Sequence, residues 1–201
     1  AKWTINQYTI TFDTDGGSGI DPITADYGTA ITAPAEPTKE GYTFTGWSPV
    51  LPETMPAESK THTAQWEVNQ YTITYMVDGG TYGEVETYDF GVAIVLRDQP
   101  SKEGYTFSGW DVVDFPATMP ANNLEIKGTF TINSYTITFD TDGGSSIDPI
   151  TADYGTTITA PADPTKEGYT FAGWDKEIPT TMPAENVTIT AKWTINQYTI
   201  T

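Results

Sequence analysis

The first eleven residues of the chain, Ala1–Thr11, recur letter for letter as Ala191–Thr201. The Asn-Gln-Tyr or Asn-Ser-Tyr junction inside that segment also appears at Asn69–Tyr71 and Asn133–Tyr135, in steps of 63, 64 and 63 residues. Self-similarity at a fixed period constrains the architecture more than any local propensity, because each copy must fold alike. Three full units follow, 8–70, 71–134 and 135–197; residues 1–7 read as the end of a preceding unit and 198–201 as the start of a following one. On this reading the chain is a window of a longer tandem array. A period near 63 exceeds most solenoid repeats and lets each unit hold a small core of its own.

Each unit must build that core without a covalent staple, since the chain has no cysteine. Apolar packing alone is marginal at this size, so the aromatics, 13% of the residues, are expected to supply it. The formal net charge is −18, from 27 acidic and 9 basic residues. A polyanion of this kind repels nucleic acid and anionic membranes, and no apolar run is long enough for a spanning helix. No signal peptide opens the sequence.

Within a unit, Tyr8, Ile10 and Phe12 alternate with threonine, as do Tyr71, Ile73, Tyr75 and Tyr135, Ile137, Phe139. Alternation of this kind predicts a half-buried strand. Asp15-Gly16, Asp78-Gly79 and Asp142-Gly143 follow, and Asp-Gly after such a run signals a hairpin turn with positive φ. A second strand is expected over 20–27, ending in a bend at Tyr27-Gly28. Residues 29–40 carry Pro34 and Pro37 and admit at most a short helix.

Next comes the block Thr38-Lys39-Glu40-Gly41-Tyr42-Thr43-Phe44-Thr45-Gly46-Trp47, repeated as 101–110 and 165–174. Tyr42 and Phe44 share a strand face, whereas Gly46 before Trp47 predicts a bulge that re-aims the indole. A Pro-bounded loop then holds Thr54-Met55-Pro56-Ala57 and its copies at 118–121 and 181–184. The inward phase of the closing strand is Val187, Ile189, Ala191, Trp193 in the third unit and Leu124, Ile126, Gly128, Phe130 in the second. In the first it is Lys60, His62, Ala64, Trp66, which predicts that this strand frays first and that His62 is partly exposed.

The run Y-T-I-T-F-D-x-D-G-G, then P-x-x-P-T-K-E-G-Y-T-F-x-G-W, then T-M-P-A and a terminal A-x-W resembles the Listeria–Bacteroides repeat, the internalin B-type B repeat. The resemblance covers nearly all of the three units. It implies a small β-grasp-like (ubiquitin-like) domain, α+β but mostly β, arrayed in tandem on bacterial surface proteins. The second unit departs most: Glu86 stands where the others have Ile23 and Ile150, and 111–115 is one residue longer.

Only four residues separate Trp66 from Tyr71, without Gly or Pro, and the other junctions match. Such composition is not that of a flexible linker. Compact units of this size in line make a rod of roughly 80–100 Å. The first and third units differ at 13 of 59 positions between Tyr8–Trp66 and Tyr135–Trp193, which suits a role in which copy number matters.

Candidate chemistry is sparse. Asp13, Asp15 and Asp21 fit calcium poorly, since Met76 replaces Asp13 in the second unit and no glutamate stands where such a loop needs one. Asp89-Phe90-Gly91 aligns with Asp26-Tyr27-Gly28 and has none of the glycine-rich or catalytic loops of a kinase. His62, the single histidine, has no nucleophile pattern beside it. Three copied carboxylate clefts in units this small are not expected. Trp47, Trp110 and Trp174 either stack on sugars or anchor cores, and the usual burial of tryptophan favours the core. No cofactor, metal or catalytic residue is assigned.

The residues expected to matter are structural: Gly16, Gly41, Gly46, Tyr42, Phe44, Trp47 and Trp66; Gly79, Gly104, Tyr105, Phe107, Gly109, Trp110 and Phe130; Gly143, Gly168, Tyr169, Phe171, Gly173, Trp174 and Trp193. The functional expectation is a non-enzymatic, monomeric stalk at the bacterial cell surface. Its partner is the rest of the same surface protein, and it neither binds nucleic acid nor inserts in a membrane. The alternative is a multivalent module for a host-surface protein or glycan, with avidity growing with repeat number.

Overall fold

The computed structural model describes residues 1–200. Its strands are β1 (Gln7–Asp13), β2 (Ile23–Asp26), β3 (Tyr42–Ser48), β4 (Lys60–Val68), β5 (Gln70–Val77), β6 (Gly80–Thr81), β7 (Glu86–Asp89), β8 (Tyr105–Phe107), β9 (Leu124–Gly128), β10 (Phe130–Ile132), β11 (Ser134–Asp140), β12 (Ile150–Asp153), β13 (Tyr169–Trp174) and β14 (Val187–Ile195). No helix occurs among the described residues, so the α+β expectation is corrected to all-β. The segment that was to hold the short helix is drawn out by its prolines and spends its backbone on the loop carrying Met55. The Ile31 amide donates to Glu53 O and the Met55 amide to Thr29 O, both at 2.8 Å.

Two compact units form. The first takes residues 1–76, 81–97 and 112–126; the second takes 77–80, 98–111 and the chain from Lys127 onward. In the first, a sheet runs β2-β1-β4-β3. Strand β1 lies antiparallel to β2 (Ile10 opposite Ile23) and parallel to β4 (Phe12 opposite His62). Parallel pairing requires a long crossover, here everything between Asp13 and Lys60. Ile10 and Phe12 face inward, whereas Thr9 and Thr11 are turned toward solvent or half-buried. A core of Ile10, Phe12 and Met55 results, with Tyr8, Ile23, Ile31, Trp47 and Leu51 against it. A further sheet runs β6-β5-β7, with β9 on β5.

The second unit repeats the four-stranded plan as β12-β11-β14-β13 and adds the pair β10-β8. Its core is Ile137, Phe139, Ile158, Met182 and Ile189. The methionines of the three Thr-Met-Pro-Ala loops, Met55, Met119 and Met182, are all but fully buried. Each is worth about 1.5–3 kcal/mol relative to an exposed side chain.

The Asp-Gly turns differ in use. Asp78 (φ 51°) and Gly79 (φ 82°) join β5 directly to β6 as a two-residue hairpin. Asp15-Gly16 has the same backbone signs, but the chain wanders from Asp13 to Ile23 before pairing back. Strand β2 is accordingly shorter than the 20–27 expected. His62 is also a correction: it is 2% exposed, because it occupies the inward phase of β4 that Ile126 and Ile189 hold elsewhere. Its Nδ1 lies 2.6 Å from Pro49 O, and its Nε2 has no partner.

Candidate functional site at the repeat junctions

One residue separates β4 from β5, Asn69, and one separates β10 from β11, Asn133. Each asparagine is held three ways. The Asn69 amide donates to Gly41 O at 2.9 Å, its carbonyl accepts from the Phe90 amide at 2.9 Å, and its side-chain Oδ1 accepts from Thr43 Oγ1 at 2.6 Å. Asn133 does the same with Gly104, Tyr154 and Thr106. Both junctions therefore tie the signature block of one repeat to the aromatic-glycine bend of the next. Edge-to-face ring pairs accompany them: Tyr42 with Phe90 at 5.8 Å between centroids, and Tyr105 with Tyr154 at 6.3 Å.

Gly41 shows why glycine stands here. Its φ is +74°, a region that side chains with a Cβ rarely adopt. A Cβ built on it would also lie 2.1 Å from the Phe90 ring, and one on Gly104 would lie 2.2 Å from the Tyr154 ring. Gly168 shares the φ, +77°, with nothing near. The other singled-out glycines fall at positive φ too: Gly16, Gly79 and Gly143 in the Asp-Gly turns, and Gly46, Gly109 and Gly173 before the tryptophans. The register of β3 on β4 shifts between Phe44 and Gly46, and that of β13 on β14 between Phe171 and Trp174.

That shift lets aromatic side chains cluster. Phe44 meets Trp47 at 5.2 Å and Trp66 at 5.6 Å; Phe171 meets Trp174 and Trp193 at 5.2 and 5.6 Å. Trp66 Nε1 donates to Thr14 O at 3.1 Å, and Trp193 Nε1 to Thr141 O at 3.0 Å. Lys39 and Lys166 lie over Tyr42 and Tyr169, each 4.7 Å from the ring centroid. In the second repeat Phe107 packs on Trp110 at 5.0 Å and Phe130 at 5.2 Å. There Gly128 replaces Ala64 and Ala191, and a Cβ on it would meet Phe107 at 2.1 Å. An open cavity of 330 Å³ lies beside Trp110, lined also by Ser108, Asp111, Lys127 and Thr129.

The second repeat also carries a polar cluster where its siblings are apolar. Glu86 and Arg97 stand in place of Ile23 and Pro34 and form an ion pair. Arg97 also donates to Tyr82 O and Glu84 O, and its guanidinium lies 4.4 Å from the Tyr75 ring centroid. Tyr88 donates to Glu86 Oε2 at 3.0 Å. That hydrogen bond, with burial and the carboxylate charge behind it, raises the phenol above its ordinary value of 10.0. Among the described residues no three His, Cys, Asp or Glu side chains gather as metal ligands, and no helix is long and apolar enough to cross a membrane.

Asn69, Phe90 and Tyr154 read in the sequence only as a junction and a bend, and the structure brings them together with the signature block. Their signal was present: the asparagine marks every period, and an aromatic precedes glycine at the same place in each unit.

Strands, bulges and bridging asparagines recurring at one period define an all-β tandem-repeat protein. The chain belongs to the Listeria-Bacteroides repeat domain family, whose model matches residues 8–63, 71–115 and 135–194. A protein of Evansella cellulosilytica described as a membrane protein is 36% identical over 224 residues, covering 100% of this chain and 34% of that protein. Internalin H of Listeria monocytogenes is 37% identical over 145 residues, covering 63% of this chain and 25% of that protein. The chain thus spans about a third or less of these relatives. Domains 3-4 of the Streptococcal High Identity Repeats in Tandem, from a cell surface protein, align at 17% identity with a TM-score of 0.26, covering 63% of this chain and 98% of that one. The sequence is that of a repeat region of the kind found in surface proteins.

Proposed function

We propose that the chain is a non-enzymatic spacer of a bacterial cell-surface protein, in which the number of repeats sets how far another part of the protein is held from the envelope. The observation that carries this reading is the single-residue junction: a closing strand leads through one hydrogen-bonded asparagine into the next opening strand. A connection so short and so bonded leaves little freedom for swinging. Units 8–70, 71–134 and 135–197 act as the domains of the array. The order β2-β1-β4-β3 with a parallel central pair supports a β-grasp-like plan for each, with the helix replaced by extended chain. The excess of negative charge keeps such an array soluble and resists non-specific association.

Small-angle X-ray scattering with and without calcium tests the reading. A particle extended over roughly 80–100 Å, as compact units in line require, and indifferent to calcium, is the expected result. A folded-back particle, or one that straightens only with calcium, overturns it. The binding-module alternative, which draws on the cavity beside Trp110, would then lead.

A further inference from the structure

The three repeats present the same junction surface in different states of occupancy. Where a repeat follows with its bend docked, Gly41 and Gly104 are buried and Tyr42 and Tyr105 are half-buried. The rings that dock, Phe90 and Tyr154, are half-buried as well. Gly168 is not buried, Tyr169 is 38% exposed, and Tyr27, the counterpart of Phe90 and Tyr154, is 54% exposed. Yet the local frame of both open copies is built. The Asn196 amide donates to Gly168 O at 2.9 Å, Thr170 Oγ1 donates to Asn196 Oδ1 at 2.6 Å, and the Tyr27 amide donates to Asn6 O at 2.9 Å. Residues 196–200 repeat the sequence that opens β1, yet Tyr198 and Ile200 are 79% and 99% exposed, against 0% for Ile10.

We propose that Gly168 and Tyr169, framed by Asn196, form an open docking site whose occupant is the aromatic-glycine bend of a repeat of this same kind, continuous with β14 through residues 197–200. Tyr27-Gly28 is the complementary half. The socket is shaped by absence: no Cβ at Gly168, so a ring can lie flat on the backbone where Phe90 lies on Gly41 and Tyr154 on Gly104. Tyr169 supplies the edge-to-face partner that Tyr42 and Tyr105 supply at the filled sites. Lys166, over the Tyr169 ring, backs the ring as Lys39 backs Tyr42. The inference rests on the spacer reading and adds to it the contact that sets the angle at each junction.

Amide hydrogen exchange on the whole chain tests it, since Asn69, Asn133 and Asn196 make the same backbone bond with sockets filled, filled and open. Asn69 and Asn133 are expected to exchange roughly tenfold more slowly than Asn196, the factor one edge-to-face ring pair supports. Phe90→Ala should bring Asn69 to the rate of Asn196 while leaving β1 and β4 protected. Gly41→Ala should cost more protection at Asn69 than Gly168→Ala costs at Asn196, because both strain a positive φ but only the first drives a Cβ into a docked ring. Extending the chain after residue 201 with a copy of 139–197, so that 198–201 serve as the opening that 135–138 give the third repeat, should slow Asn196 to the rate of Asn69, and Tyr27→Ala should change no junction amide.

Docking is refuted if Phe90→Ala leaves Asn69 unchanged, or if the appended repeat folds and Asn196 stays fast. Scattering by the parent chain separates this failure from failure of the spacer reading. An extended particle with unaltered junction amides would sink the socket alone, and a folded-back particle would sink the spacer.

Discussion

Gly17 sits beneath the indole of Trp66, and replacing it with alanine isolates a packing effect from a backbone one. Its φ is not positive, so alanine brings no conformational strain. A Cβ there would lie 2.6 Å from Trp66 Cζ2, 3.1 Å from Cη2 and 3.2 Å from Thr14 O. The indole cannot simply swing away, because Nε1 is bonded to Thr14 O and the ring packs on Phe44. Overpacking of this kind costs about 1–3 kcal/mol, and a lost hydrogen bond adds about 0.5–1.5 kcal/mol. Reduced freedom of the unfolded chain returns about 0.4–1 kcal/mol. The net is a destabilisation of about 0.5–4 kcal/mol, combining those ranges.

The control is internal. Gly80 holds the equivalent place in the second repeat, where Phe130 replaces the tryptophan, and the nearest atom to a built Cβ is Val77 O at 3.7 Å. Gly80→Ala should therefore be neutral or stabilising by up to about 1 kcal/mol. Hydrogen exchange followed repeat by repeat is the suitable assay, because a single unfolding midpoint mixes the units. Peptides over β4 should lose protection in Gly17→Ala, and peptides over β9 should not in Gly80→Ala. Equal protection in the two variants would refute the steric argument. Gly144→Ala, under Trp193 at 2.6 Å, should behave as Gly17→Ala.

His62→Ile should stabilise the first repeat by about 0.5–2 kcal/mol: it removes a buried nitrogen without a partner at the loss of one bond to Pro49 O, and slower hydrogen exchange over β4 in the whole chain reads the change. Iodide should quench Trp3, 93% exposed, well before the half-buried Trp47 and Trp174; equal quenching of all six would count against core anchorage. Tyr88 should ionise above its ordinary pH in a spectrophotometric titration, and Glu86→Gln should bring it down. Because the folded-state value is raised, the stability linked to it is present below pH 10 and is lost as the pH climbs through the folded value. An unshifted Tyr88 would mean that the Glu86 contact does not persist in solution.

Local features were legible because local physics dictates them. Alternation placed Ile10 and Phe12 inward, and Asp-Gly pairs placed positive φ where the backbone turns. The one-residue misfit between Phe44 and Trp47 announced the bulge that the register records. Periodicity marked the units without any structure. Where this reasoning failed, it failed over distance. His62 reads as a polar misfit in a strand, but burial is decided by the face of β4 set by β1, some fifty residues earlier, and that face is inward. A helix was allowed over 29–40, but the loop carrying Met55 takes those backbone groups.

The sequence by itself determined the period, the strand phases, the turn positions and the absence of any disulfide, since each depends on a residue and its near neighbours. Tertiary structure alone decided that β1 and β4 pair in parallel, that the three loop methionines fill the cores, and that Phe90 and Tyr154 rest on Gly41 and Gly104. Those outcomes join residues some twenty to fifty positions apart. No periodicity encodes such contacts, because they arise only when closing the sheets brings a bare glycine backbone against a ring that would otherwise stay in water.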